Sequence, residues 1–80
     1  MTGRRLPDGG NPAFAPGDYW RDGDGVWWVR PPQGHMGPLT DHEVIEHEDG
    51  TITVSPSIDS PGEWHGYLER GLWRACSGGA

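Results

Sequence analysis

Glycine and proline punctuate this chain so densely that long helices have no room in it: 14 glycines and 8 prolines stand among 80 residues. That level favours turn-dense structure. Only 32% of the chain is hydrophobic, so a large aliphatic core is excluded. Five tryptophans concentrate the apolar mass in rings, and each ring can bury about 150–250 Å². The length is one domain's worth and leaves no room for a deep cleft between two lobes.

The punctuation is regular enough to predict three hairpins. Asp18-Tyr19-Trp20-Arg21 and Val26-Trp27-Trp28-Val29-Arg30 flank Asp22-Gly23-Asp24-Gly25, where both glycines can take positive φ. Val44-Ile45-Glu46-His47-Glu48 and Thr51-Ile52-Thr53-Val54-Ser55 flank Asp49-Gly50, the preferred two-residue turn. Trp64 to Leu68 and Leu72 to Ala75 flank Glu69-Arg70-Gly71, the shape of a three-residue turn closed by glycine. A helix capped at Thr40 would run into the β-branched pair Val44-Ile45 and stop at Gly50, so strand is the stronger reading there.

The expected fold is therefore all-β: a small antiparallel sheet or partly open barrel built from three β-hairpins. Residues 1–17 contain seven glycines or prolines and only three larger apolar residues, Met1, Leu6 and Phe14, and read as a disordered, flexible N-terminal arm. The β-rich domain spans residues 18–75 and residues 76–80 form a frayed tail. An ordered core of about 58 residues lies near the lower limit of what folds without a disulfide or metal.

Turn length sets register, and register sets which side chains share a face. A four-residue first loop pairs Trp20 with Trp27 and Tyr19 with Trp28, on opposite faces of the ribbon. Either both faces are buried or one aromatic row is left for a partner. The second hairpin would turn Ile45, Val54, His47 and Ile52 inward and Glu46, Glu48, Thr51 and Thr53 outward. In the third, Tyr67 would oppose Trp73, and a ring could lie over Gly66. Trp27, Trp64 and Trp73 are the expected core filling. Trp20 and Trp28, next to Arg21 and Arg30, are the candidate contact anchors, because tryptophan and arginine are enriched at binding hot spots.

Twelve acids against six bases give a net charge of −6, and every base is arginine. Binding to duplex nucleic acid or a membrane surface needs clustered cations and is disfavoured. No apolar stretch approaches the ~20 residues of a spanning helix, and no apolar region follows the charged start, so neither an anchor nor a signal peptide is expected. A single cysteine, Cys76, cannot form an internal disulfide, which points to a reducing, cytoplasmic setting.

Catalytic and metal patterns are thin. His42 and His47 are five apart and would point to opposite faces of a continuous strand. A zinc site would have to draw on His35, His65 and Cys76, brought together only by the fold. Asp18, Asp22 and Asp24 lack the downstream ligands of a calcium loop. Ser55 or Ser57 with His65 could be drawn as a nucleophilic pair, but no strained nucleophile turn accompanies them. No cofactor is expected.

The string His47-Glu48-Asp49-Gly50-Thr51-Ile52-Thr53-Val54-Ser55-Pro56-Ser57-Ile58, followed by Trp64-His65-Gly66-Tyr67-Leu68-Glu69-Arg70-Gly71-Leu72-Trp73-Arg74, resembles small uncharacterised proteins of actinobacteria and their bacteriophages. More distantly it is similar to small phage and bacterial β domains in which a Ser-Pro-Ser-Ile segment precedes a Cys-His hairpin and an upstream Cys-Pro-x-Cys-Gly-like knuckle binds zinc. Here Arg30-Pro31-Pro32-Gln33-Gly34-His35 occupies the upstream segment, and Trp64 stands where the cysteine before His65 would be. The resemblance thus implies that the metal ligands are mostly gone. It covers roughly residues 18–75 and carries no established activity. The absence of lysine fits a GC-rich genome.

Together these features favour a non-enzymatic protein-protein interaction module, a phage or prophage accessory protein acting on a host protein inside the host cell. Trp20, Arg21, Trp28 and Arg30 would be its contacts. The alternative is a small zinc-binding or hydrolytic domain, and a third reading is an acidic DNA-mimic inhibitor. A homodimer burying the spare aromatic row is compatible with all of this.

Overall fold

The computed structural model describes residues 1–9 and 15–76, and they form an all-β domain of two small sheets that do not close into a barrel. The first sheet holds β1 (Arg4–Arg5), β2 (Asp18–Arg21), β3 (Trp27–Val29) and β4 (Gly37–Pro38) in that order, with β1 parallel to β2 and the other pairs antiparallel. The second is an antiparallel meander of β5 (Glu43–Glu46), β6 (Ile52–Ser60), β7 (Trp64–Glu69) and β8 (Leu72–Ala75). No helix among the described residues is long and apolar enough to cross a membrane.

The expected flexible arm is corrected wherever the structure describes it. Trp73 donates its N–H to the Met1 carbonyl at 2.8 Å, Gly3 donates to Gly71 at 2.7 Å, and Thr2 bridges Leu72. The same extended segment then changes partner. Arg4 donates to Gly17, Leu6 to Tyr19 and Gly9 to Arg21, and the Leu6 side chain is buried. Backbone pairing needs no apolar side chain, so a segment poor in them can still be a strand. Gly3 serves close approach: a Cβ there would lie 2.8–3.0 Å from the Trp73 indole nitrogen, the Gly17 carbonyl and the Tyr19 ring. Residues 10–14 of the expected arm, and 77–80 of the expected tail, lie outside the described residues. Cys76, the first residue of that tail, donates its N–H to His65 at 2.7 Å.

All three hairpins form, and each is one residue out of the expected register. In the first, Asp22 donates to Val26 and Gly25 to Asp22, so Trp20 faces Trp28, Tyr19 faces Val29 and Arg21 faces Trp27. In the second, His47 donates to Thr51 and Gly50 to His47, so the turn has three residues and not two. Gly50 takes φ 88°, a left-handed conformation that costs glycine no steric penalty and makes this bulged turn accessible. Val44 consequently pairs with Val54 and Ile45 with Thr53, which turns Ile45 outward. The third turn is the two-residue one, Arg70-Gly71, with φ of 47° and 75°. It sets Leu68 opposite Trp73 and Tyr67 opposite Arg74, so Tyr67 does not meet Trp73.

The core lies between the sheets, made of Tyr19, Val29, Leu39, Ile52, Val54, Ile58, Leu68 and Trp73, with Trp27, Val44 and Trp64 half-buried against it. Trp73 donates its indole N–H to the Gly17 carbonyl at 2.9 Å, and Trp64 meets its ring edge-on at 5.4 Å between centroids. Trp64 also covers Gly66, as expected. A Cβ at Gly66 would come within 2.5 Å of the Trp64 ring and 2.2 Å of the Arg74 carbonyl. Gly66→Ala should therefore lower stability by about 3 kcal/mol and Tm by roughly 12–24 °C, read by thermal melting on tryptophan fluorescence. A melt within a degree or two of the parent would show that the ring and strand move aside freely.

Candidate functional site

The four expected contact residues do not form one patch. Trp20 and Trp28 sit directly across from each other, on the face opposite Tyr19 and Val29, and both are half-buried. This aromatic pair stands outside the core cluster. It is braced from within, because Trp28 donates its indole N–H to Asp22 at 2.8 Å. The same carboxylate accepts the N–H groups of Asp24 and Val26. Arg21 lies on the other face, 5.2 Å from the Trp27 ring centroid, with Arg5 over the same ring at 5.0 Å. Both guanidiniums bind Asp8 and Glu46, and Arg5 also donates to the Gly50 carbonyl. This network joins the N-terminal strand, the first sheet and β5, so Arg21 is structural. Arg30 follows β3 and donates its N–H to Asp18.

The residues considered for a metal are also dispersed. His35 pairs through Nδ1 with Glu63, which accepts the Ser60 hydroxyl at 2.9 Å. Those two hydrogen bonds hold the Glu63 carboxyl below its ordinary range, His35 contributing more. Cys76 donates its backbone N–H to the His65 carbonyl. Among the described residues, no three His, Cys, Asp or Glu side chains are grouped to hold a metal ion. Ser57 does meet His65, Oγ to Nε2, at 2.8 Å. Among the described residues no carboxylate hydrogen-bonds His65, so the pair lacks the third group that orients a catalytic base.

The surface that the sequence did not reveal is the outer face of the second sheet. Strand alternation places Ile45, Tyr67 and Leu72 there, all exposed. Ile45 and Leu72 line a shallow groove of about 590 Å³ together with Thr53, His47, Glu69, Arg70 and Arg74. Thr53 organises its floor: the hydroxyl accepts the Arg70 N–H at 3.0 Å and shares a second hydrogen bond with His47 Nε2 at 2.6 Å. Glu69 is neutralised by Arg74. The Arg70 guanidinium forms no ion pair among the described residues, which leaves one cation beside exposed apolar side chains. The signal that would have found this face is turn length, since one residue in each turn decides whether Ile45 and Tyr67 point in or out.

Comparison with protein-family models, curated proteins and solved structures finds no match to this chain.

The acids that bind inward make a pH signature. Asp8 is held below the ordinary 3.8 by hydrogen bonds from Arg21 and Arg5, Asp22 by those from Trp28 and Val26, and Asp49 by those from Thr51. A depressed folded pKa contributes stability that is complete above the unfolded value and is lost as pH falls through the folded one. The urea midpoint should thus fall as pH drops below 3.8, and Asp22→Asn should flatten that fall. A midpoint equally pH-dependent in parent and variant would remove Asp22 from the account.

Proposed function

We propose that this chain is a non-enzymatic protein-interaction module whose contact surface is the outer face of the second sheet. The observation that carries the reading is that Ile45, Tyr67 and Leu72, which are 50%, 42% and 45% exposed, share one face of one sheet, where Ile45 and Leu72 line a groove. Single exposed apolar residues are ordinary, whereas a group of them rimmed by polar residues marks an interaction site. Arg70 supplies the polar anchor, so the fitting partner is a protein surface with apolar side chains beside a carboxylate. The sequence resemblance supports a phage or prophage origin and a host protein as that partner, met inside the host cell. This reading replaces Trp20, Arg21, Trp28 and Arg30 as the contact set, because Arg21 and Trp28 are engaged within the domain.

An acidic DNA mimic has less support. Asp18 is bound by Arg4, Asp8 and Glu46 by Arg5 and Arg21, and Glu69 by Arg74, so four of the twelve acids are paired with arginine.

Tyr67→Glu combined with Leu72→Glu should leave the melting temperature nearly unchanged, since both side chains are exposed and outside the core. The pair should weaken binding to proteins captured from host extract by tenfold or more, measured by titration of each captured protein. Unchanged affinity in a folded double variant overturns the reading.

A further inference from the structure

The second sheet has two edges, and they are treated differently. The β8 edge is covered by the N-terminal residues through the Thr2 bridge to Leu72. Along β5, pairing is with β6 alone among the described residues. His47 directs both its N–H and its C=O to the turn and β6, and the antiparallel alternation turns Ile45 the same way. The N–H and C=O groups of Val44 and Glu46 therefore point to the open side.

We propose that this edge pairs with the β5 edge of a second copy of the chain, joining the two meanders into one continuous antiparallel sheet across a twofold axis at Ile45. The hydrogen-bond phase admits only registers that set Val44 and Glu46 against each other or against themselves. Centring on Glu46 opposes two acids. Centring on Val44 sets Glu43 against Ile45, and His42 against a Glu46 carboxylate already held by Arg5 and Arg21. Centring on Ile45 stacks that half-exposed side chain on its twin and places Glu43 opposite the partner's His47, twice. In this register Val44 faces the partner's Glu46, whose carboxylate is already held by Arg5 and Arg21, so the stacked Ile45 pair and the two Glu43–His47 pairs are what favour it. A four-residue edge makes a small interface, so the dimer is a weak and transient one. The inference goes beyond the outer-face reading and does not depend on it, since Tyr67 and Leu72 lie on the face and not along the edge.

The register yields a crosslinking test. Ile45 meets its twin as a non-hydrogen-bonded pair with Cα atoms about 4.5 Å apart, within disulfide reach. In a Cys76→Ala background, Ile45→Cys should form a disulfide-linked dimer in glutathione buffer at least tenfold faster than Tyr67→Cys, a control on the same face. On the otherwise unaltered chain, a concentration series by NMR should show amide exchange slowing at Val44 and Glu46 and not at Ile45. Ile45→Lys should abolish the concentration-dependent slowing of amide exchange in a domain that still melts normally, while Tyr67→Glu with Leu72→Glu leaves that slowing in place. Equal crosslinking at the two cysteine positions, or amide exchange independent of concentration up to millimolar protein, overturns the proposal.

Discussion

One extended segment at the N-terminus holds the two sheets in place. Its first three residues lie antiparallel to β8, and the next few lie parallel to β2, so a single piece of backbone hydrogen-bonds to both sheets. Trp73 ties the junction from the other side. Its backbone N–H meets Met1 and its indole N–H meets Gly17, while its ring fills the core against Trp64. With so few aliphatic residues, the domain depends on backbone pairing and on this ring to fix how the sheets lie on each other. The charge network around Trp27 adds a second clamp, linking Arg5 of β1 to Glu46 of β5.

That arrangement also explains the surface. The aromatic pair Trp20 and Trp28 stands on the far side of the first sheet, braced by Asp22 in its own turn. On the second sheet the outer face carries side chains with no core to enter. Thr53 orders the polar groups beneath them by joining His47 to the Arg70 backbone. Arg70, in no ion pair among the described residues, lies in the groove beside the exposed Ile45 and Leu72. Among the described residues, the nearest approach to catalytic chemistry is the Ser57–His65 contact, which no carboxylate completes.

Hairpin positions were legible because Asp-Gly and Arg-Gly dipeptides between β-branched and aromatic runs leave the backbone few alternatives. The core roles of Trp73, Trp64 and Trp27 were legible for the same reason that the aliphatic content was low. Register was not, because a dipeptide such as Asp49-Gly50 fits both a two-residue turn and a three-residue bulged turn. One residue more in the second turn moved Ile45 from the core to the surface, and one fewer in the third moved Tyr67 away from Trp73. The outer-face groove was hidden by those slips alone.

The sequence by itself determined an all-β, ring-filled domain with three turns, through local conformational limits that act within a few residues of each glycine. Only the tertiary structure decided that residues 1–9 belong to the domain, that Arg21 is a structural clamp and that Ile45, Tyr67 and Leu72 share a face. Each of those outcomes rests on pairing between segments distant in sequence, from Met1 with Trp73 to Arg5 with Glu46. Their hydrogen bonds and ion pairs depend on the geometry of the assembled sheets, which no local pattern encodes.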